Sequence, residues 1–124
     1  MNIIHISSRK AWIDARLAGQ YIAPSLESEG FIHCSTSAQT LPVAEKYYKG
    51  QPGLVLLVID PARLDSEVKW EPPAEGAPPP GVPAGDAFPH IYGPINLEAV
   101  VEVLDFTPGP NGQFSLPKSL LAGH

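Results

Sequence analysis

The chain is poor in the features that mark several protein classes. It has one cysteine, Cys34, in 124 residues, so no internal disulfide can form. A disulfide scaffold is excluded, and a reducing cytoplasm is the expected location. No apolar run approaches the roughly 18 residues needed to cross a bilayer. The start, Met1-Asn2-Ile3-Ile4-His5, lacks the basic segment of a secretory signal. Charged residues make up only 17%, against about 25% in an ordinary globular chain. Basic residues are the scarcer sign, 8 against 13 acids, for a net charge of −5. The only basic cluster is Arg9, Lys10 and Arg16 on one expected helix. Phosphate backbones select clustered Lys and Arg, so a large nucleic acid is not an expected partner.

What is present is 44% hydrophobic and long enough for one domain, taken as 1–124 with a core over about 3–106. Residues 3–6 read as a first strand. Ser7 or Ser8 then caps a helix to Ala18, closed by Gly19. Residues 21–30 read as a loop and 31–35 as a second strand. Thr36 and Gln39 have capping-box spacing for a helix to about Lys49. Residues 54–59, unbroken Leu-Val-Leu-Leu-Val-Ile, read as a strand buried on both faces. Residues 68–70, 88–92, 100–106 and 113–116 read as further strands, and 117–124 as a frayed tail. Between them, residues 71–87 hold six prolines and three glycines. This stretch reads as a mobile surface loop, dispensable for folding. About six strands and two main helices, helices early and strands late, give an α+β fold with a mixed twisted sheet.

Three histidines share one setting: His5-Ile6-Ser7, His33-Cys34-Ser35 and His90-Ile91-Tyr92. Each stands near a strand end with a hydroxyl two residues later, and strand residues i and i+2 share a face. Three strand ends thus present an imidazole with a hydroxyl, groups that bind sugar or phosphate oxygens or move protons near neutral pH. Each histidine taken alone also fits a structural residue bonded to nearby backbone. No H-x-x-x-H or H-E-x-x-H occurs, so no metal is expected. Cys34 faces away from His33, with Ile32, and reads as an inert buried thiol. No G-x-S-x-G marks a serine hydrolase.

Several stretches resemble the domain-of-unknown-function (DUF) 952 family of small bacterial proteins. They are Ile4-His5-Ile6, Pro24-Ser25-Leu26, Glu29-Gly30-Phe31-Ile32-His33-Cys34-Ser35, the run 54–60, and Phe88-Pro89-His90-Ile91-Tyr92-Gly93-Pro94 with Ala99-Val100-Val101. The resemblance implies a fold similar to ADP-ribosyltransferases, a split sheet with NAD or another nucleotide in its cleft. It implies His33 and His90 as catalytic candidates and His5, Ser7, Ser35, Tyr48 and Tyr92 as ligand-binding ones. His5 would meet a ribose hydroxyl and Tyr48 would stack on a ring. The catalytic glutamate of that superfamily has no match: the late motif reads His90-Ile91-Tyr92-Gly93, and Glu98 and Glu102 lie off its position. Slow or absent turnover is therefore implied. Two other functions remain open on the residues: a non-catalytic module for a small metabolite, and a protein-interaction domain contacting through residues 71–87.

Overall fold

The computed structural model describes residues 1–74 and 76–121. β1 (Ile3–Ser8) runs into α1 (Arg9–Ala18), whose start is fixed by the Ser8 hydroxyl accepting the Ala11 N–H. Gly19, at φ 90°, ends it by donating to the Ala15 carbonyl. A two-residue strand β2 (Gln20–Tyr21) follows, then α2 (Pro24–Glu29) where the sequence reading has only loop. Pro24 and Gly30 are not loop residues in this context. Proline fits the first helical turn, where no N–H partner is needed, and Gly30, at φ 91°, closes the last.

β3 (Ile32–His33) leads to α3 (Ser37–Tyr47), which opens with the expected capping box: Thr36 Oγ1 accepts from Gln39 N, and Gln39 Oε1 from Thr36 N. β4 (Leu54–Ile59), β5 (Glu67–Glu71), β6 (Phe88–Tyr92), β7 (Ile95–Asn96), β8 (Val100–Phe106) and the short helix α4 (Lys118–Leu121) complete the chain. The strands number eight among the described residues rather than about six, because β2 and β7 are two-residue elements below the reach of periodicity.

β8, β4 and β1 form one antiparallel sheet, and β5, β6 and β3 another. A single bridge, Ile4 to Ser35, joins β1 to the end of β3. The whole is a split sheet in the order β8-β4-β1, β3-β6-β5, with β2 and β7 paired beside it. Every ladder among the described residues is antiparallel, so the sheet is not mixed. The helices connect strands without making a parallel crossover.

β4 is buried on both faces as its composition requires. Val55, Leu57 and Ile59 join a core with Ala15, Tyr21, Ile32, Cys34 and Ile91. Leu54, Leu56 and Val58 join a second core with Ala44, Phe106, Phe114 and Leu120. Each fully buried leucine contributes roughly 2 kcal/mol. The expected last strand at 113–116 is absent. Phe114 instead stacks on Phe106 at 4.6 Å, and its N–H goes to the Glu45 carboxylate rather than a ladder. The expected frayed tail is a helix as far as Leu121, anchored by buried Leu120. Residues 122–124 lie outside the described residues.

Residues 71–87 are not a free loop. They form successive turns closed by Gly76 N to Pro73 O, Val82 N to Pro79 O and Asp86 N to Pro83 O. Val82 is buried, and the Gln39 amide from α3 donates to the Ala87 carbonyl at 3.0 Å. The prolines keep the segment out of the sheet, Pro80 presets the middle turn from its second position, and the turns lie over the space beside the split.

Candidate functional site

The split in the sheet makes the site. Ile4 and Ser35 exchange both backbone hydrogen bonds at 2.8 Å. In a continued antiparallel ladder the next such pair is Ile6 with His33, and the Ile6 N–H would donate to the His33 carbonyl. That carbonyl is taken instead by His5 Nδ1, at 2.6 Å. The imidazole stands where the ladder would have continued, and the two half-sheets diverge around it.

A carbonyl only accepts, so Nδ1 carries the proton, and on neutral His5 Nε2 is an acceptor. The Tyr21 hydroxyl lies 2.9 Å from Nε2 and 3.0 Å from Ser7 Oγ. Its single proton serves one neighbour at a time, and neutral Nε2, which has none, takes it. Ser7 Oγ stands between the Tyr21 oxygen and the Ser8 carbonyl, 2.9 Å away, and its single proton serves one of them at a time. Burial drops the His5 pKa to about 4, with the His33 imidazole acting the same way against the bond to the carbonyl. Burial also raises that of Tyr21. His5 is thus a neutral residue with both nitrogens engaged, and Tyr21 and Ser7 are the ends of its chain.

The other half-sheet carries a different arrangement. His33 and His90 are directly opposed on β3 and β6, with ring centroids 5.6 Å apart at 74°. His33 Nε2 meets the Glu29 carboxylate of α2 at 3.0 Å. His90 Nδ1 meets Glu71 Oε1 at 2.8 Å, and the Tyr92 hydroxyl donates to the same oxygen at 2.6 Å. The Tyr92 and His90 hydrogen bonds hold the Glu71 carboxyl below the usual range, and the bond to Glu71 pushes the Tyr92 phenol up. Phe31 stacks on His90 at 4.2 Å and 20°. His90 is buried, while the His33 side chain is 45% exposed.

Between the half-sheets lies a cleft of about 550 Å3. His5, Ser7, His33, Ser35, Tyr48 and His90 all line it. Tyr92 does not. It faces a shallower depression on the other side of His90, with Glu29, Phe31 and Glu71. Tyr21, Phe88 and Tyr47 complete the main cleft's aromatic wall, and Pro73, Ala74, Ala77 and Pro79 roof it. Among the described residues no Lys, Arg, Asp or Glu lines it. Ser35 is a buried residue, and its Oγ has no hydrogen-bond partner among them. Cys34 is buried in the first core, and burial alone holds its thiol protonated. No group of three His, Cys, Asp or Glu placed for a metal ion occurs among the described residues.

Sequence reasoning missed Tyr21, Glu29 and Glu71. Glu29 stands four residues before His33, and the left-handed turn at Gly30 between α2 and β3 brings the two together. Tyr21 and Glu71 leave no local signal, because their partners stand 16 and 19 residues away.

The fold and cleft define a small split-sheet α+β protein with a half-open pocket whose mostly apolar wall carries a few hydroxyls and imidazoles, and no helix among the described residues is long and apolar enough to cross a membrane. The chain belongs to the family described as "Protein of unknown function (DUF952)", whose model matches residues 6–103. It is similar to the crystal structure of protein CC0527 from Caulobacter crescentus, at 29% identity and TM-score 0.80 over 98% of this chain and 99% of that one. The solution NMR structure of CC0527 matches at 31% identity and TM-score 0.74, covering 95% of each chain. No curated protein matches the chain.

Proposed function

We propose that the cleft binds a small, hydroxyl-bearing, planar ligand of the nucleoside type, with a nucleotide such as NAD entering through its ribose and ring rather than its phosphates. The observation that carries this is the composition of the wall. Hydroxyls and imidazoles from strand ends alternate with aromatic rings, and the described lining holds no cationic lysine or arginine. A ribose needs donors and acceptors, and a base or nicotinamide needs a flat apolar surface; both are present. A pyrophosphate needs cations or helix-end N–H groups, and the first are missing. An ADP-ribosyltransferase-like reading of the chain would favour the same ligand class, and three features are compatible with it: the sheet is split, a histidine stands on the first strand, and tyrosines end the helix after β3. With no carboxylate among the described lining residues, transfer of ADP-ribose is expected to be slow or absent.

His5 does not meet the ligand through a ring nitrogen in this reading, since both are occupied. The Tyr21–Ser7 end of its chain and Ser35 are the contacts. Calorimetry with adenosine, nicotinamide riboside, ADP-ribose and NAD tests the reading. The nucleosides should bind at micromolar to millimolar Kd, about −8 to −4 kcal/mol, and the pyrophosphate should add nothing. Absence of heat with all four up to millimolar concentrations overturns it. Much tighter binding of NAD than of the nucleosides overturns the uncharged-pocket argument.

A further inference from the structure

We infer that His33 and His90 are an acid–base pair that hydrolyses a singly charged phosphodiester on a nucleoside, a 2′,3′-cyclic phosphate being the smallest; this rests on the nucleoside reading of the cleft. The geometry has three parts. The two imidazoles are cross-strand partners 5.6 Å apart, and both line the cleft. Each ties one nitrogen to a carboxylate, Glu29 or Glu71, and neither carboxylate is in the main cleft. The remaining nitrogens, His33 Nδ1 and His90 Nε2, have no hydrogen-bond partner among the described residues. A histidine oriented by a carboxylate with its other nitrogen open to the site is the arrangement of a general base or acid. His5, by contrast, has no nitrogen to spare.

Charge selects the substrate. The reaction needs one proton on the pair, with one ring as acid and the other as base. One positive charge matches one phosphodiester anion and leaves a pyrophosphate under-neutralised. Glu71 accepts the proton on His90 Nδ1, which leaves Nε2 as the base. His90 Nε2 takes a proton from water as the water oxygen bonds to phosphorus. The bond from phosphorus to one ribose oxygen breaks, and that oxygen takes the proton from His33 Nδ1. The product is a phosphomonoester with a restored hydroxyl, and nothing is oxidised or reduced. Solvent returns the proton from His90 to His33. Ser35, on the His33 face of the strand and without a partner, donates to a non-bridging oxygen. The charged and titratable groups around the pair are Glu29 from α2, Glu71 and Lys69 from β5, Tyr92 from β6, and His5 behind His33.

The experiment follows 2′,3′-cyclic AMP and 2′,3′-cyclic CMP with the full chain in EDTA, by phosphorus NMR, from pH 4.5 to 9. A bell-shaped rate profile is expected. His90→Ala and His33→Gln should each lower kcat by about 10² to 10⁴-fold, the usual worth of a positioned acid or base. His33→Gln, at a half-exposed site, keeps the test sound if His90→Ala fails to fold. Glu71 is a positioning residue. Glu71→Gln should lower kcat less, and nitrogen-15 NMR should show His90 losing its fixed Nδ1–H tautomer. Nucleoside binding without hydrolysis overturns the acid–base pair and leaves the cleft reading standing. Neither binding nor hydrolysis overturns both. Hydrolysis unchanged in His33→Gln removes His33 as the acid and overturns the pair.

Discussion

His5 and His90 stand in the same sequence setting and are both buried, at 7% and 3% exposure, yet the two half-sheets use them differently. His5 bonds a carbonyl and a phenol, both neutral, and burial wins: its pKa falls to about 4. It holds the split open and has no nitrogen left for chemistry. His90 bonds one carboxylate and keeps a second nitrogen without a protein partner among the described residues. What a buried imidazole has left to offer is therefore set by what its neighbours donate and accept, which a His-x-hydroxyl pattern does not encode.

The largest expected effect tests the structural half. His5→Ala leaves the buried His33 carbonyl without its donor and opens a cavity where the ring stood, while the Tyr21 hydroxyl keeps Ser7 Oγ. At about 1–3 kcal/mol for the orphaned carbonyl, with the cavity added, the loss should be about 3 kcal/mol in a urea melt. His33→Ala, at a half-exposed site, should cost under about 1 kcal/mol. Equal losses would break the comparison.

Acid should expose the same asymmetry. The His5 pKa is about 4 in the folded chain and 6.5 as its reference. Between these values the unfolded chain binds the extra proton. Stability from His5 is therefore fully present above pH 6.5, falls as pH drops towards 4, and is gone below that. The loss amounts to about 3 kcal/mol, at 1.36 kcal/mol per pKa unit. Urea midpoints measured from pH 7.5 to 4 should fall steeply in the wild type. The same curve in His5→Phe should be shallower, and an equal slope would assign the acid sensitivity elsewhere.

Next in size is the roof of the cleft. Its proline content argues for a dispensable loop, but Val82 is buried and Gln39 bonds the Ala87 carbonyl. Replacing residues 72–87 by a Gly-Ser linker should cost about 2 kcal/mol, one buried valine plus a hydrogen bond. It should also weaken nucleoside binding measured by calorimetry. Unchanged stability would restore the dispensable reading.

What the sequence made legible, and what it hid, follows range of interaction. Local signals placed α1 by Ser8 and Gly19, α3 by Thr36 and Gln39, and β4 by its unbroken apolar run. Ser7 with His5 and Ser35 with His33 line the cleft, as the i, i+2 rule expects, but Cys34, packed in the core, borders it too, as do Ile4 and Ile6. Signals that admit two structures went astray: Pro24 and Gly30 mark a short helix as well as a loop. The split was expected only through the family resemblance and left no local signal of its own, because it depends on one side chain taking the place of one ladder bond. The Glu71–His90 contact was hidden because it needs the β5–β6 register, set across the proline-rich segment.

Two smaller changes sharpen the boundary between the halves. Tyr21→Phe keeps the ring in the core but leaves His5 Nε2 buried without its donor. A loss of about 1–2 kcal/mol is expected, because only one partner is removed and the His5–His33 bond survives. Nitrogen-15 NMR should still find the proton on Nδ1. A proton moved to Nε2 would mean that Tyr21, and not the His33 carbonyl, sets the tautomer.

Glu29→Gln should be the mildest. The Glu29 and His33 side chains are 44% and 45% exposed, so solvent screens their attraction and ordering two side chains offsets part of it. Under about 0.5 kcal/mol is expected in a urea melt. The informative readout is the His33 ring itself. If Glu29 holds the Nε2 proton, its loss should free that nitrogen to solvent and blur the tautomer seen by nitrogen-15 NMR, with global stability almost unchanged. A large stability loss would mean that His33, like His5, is a structural residue, and the difference between the two half-sheets would collapse onto His90 alone.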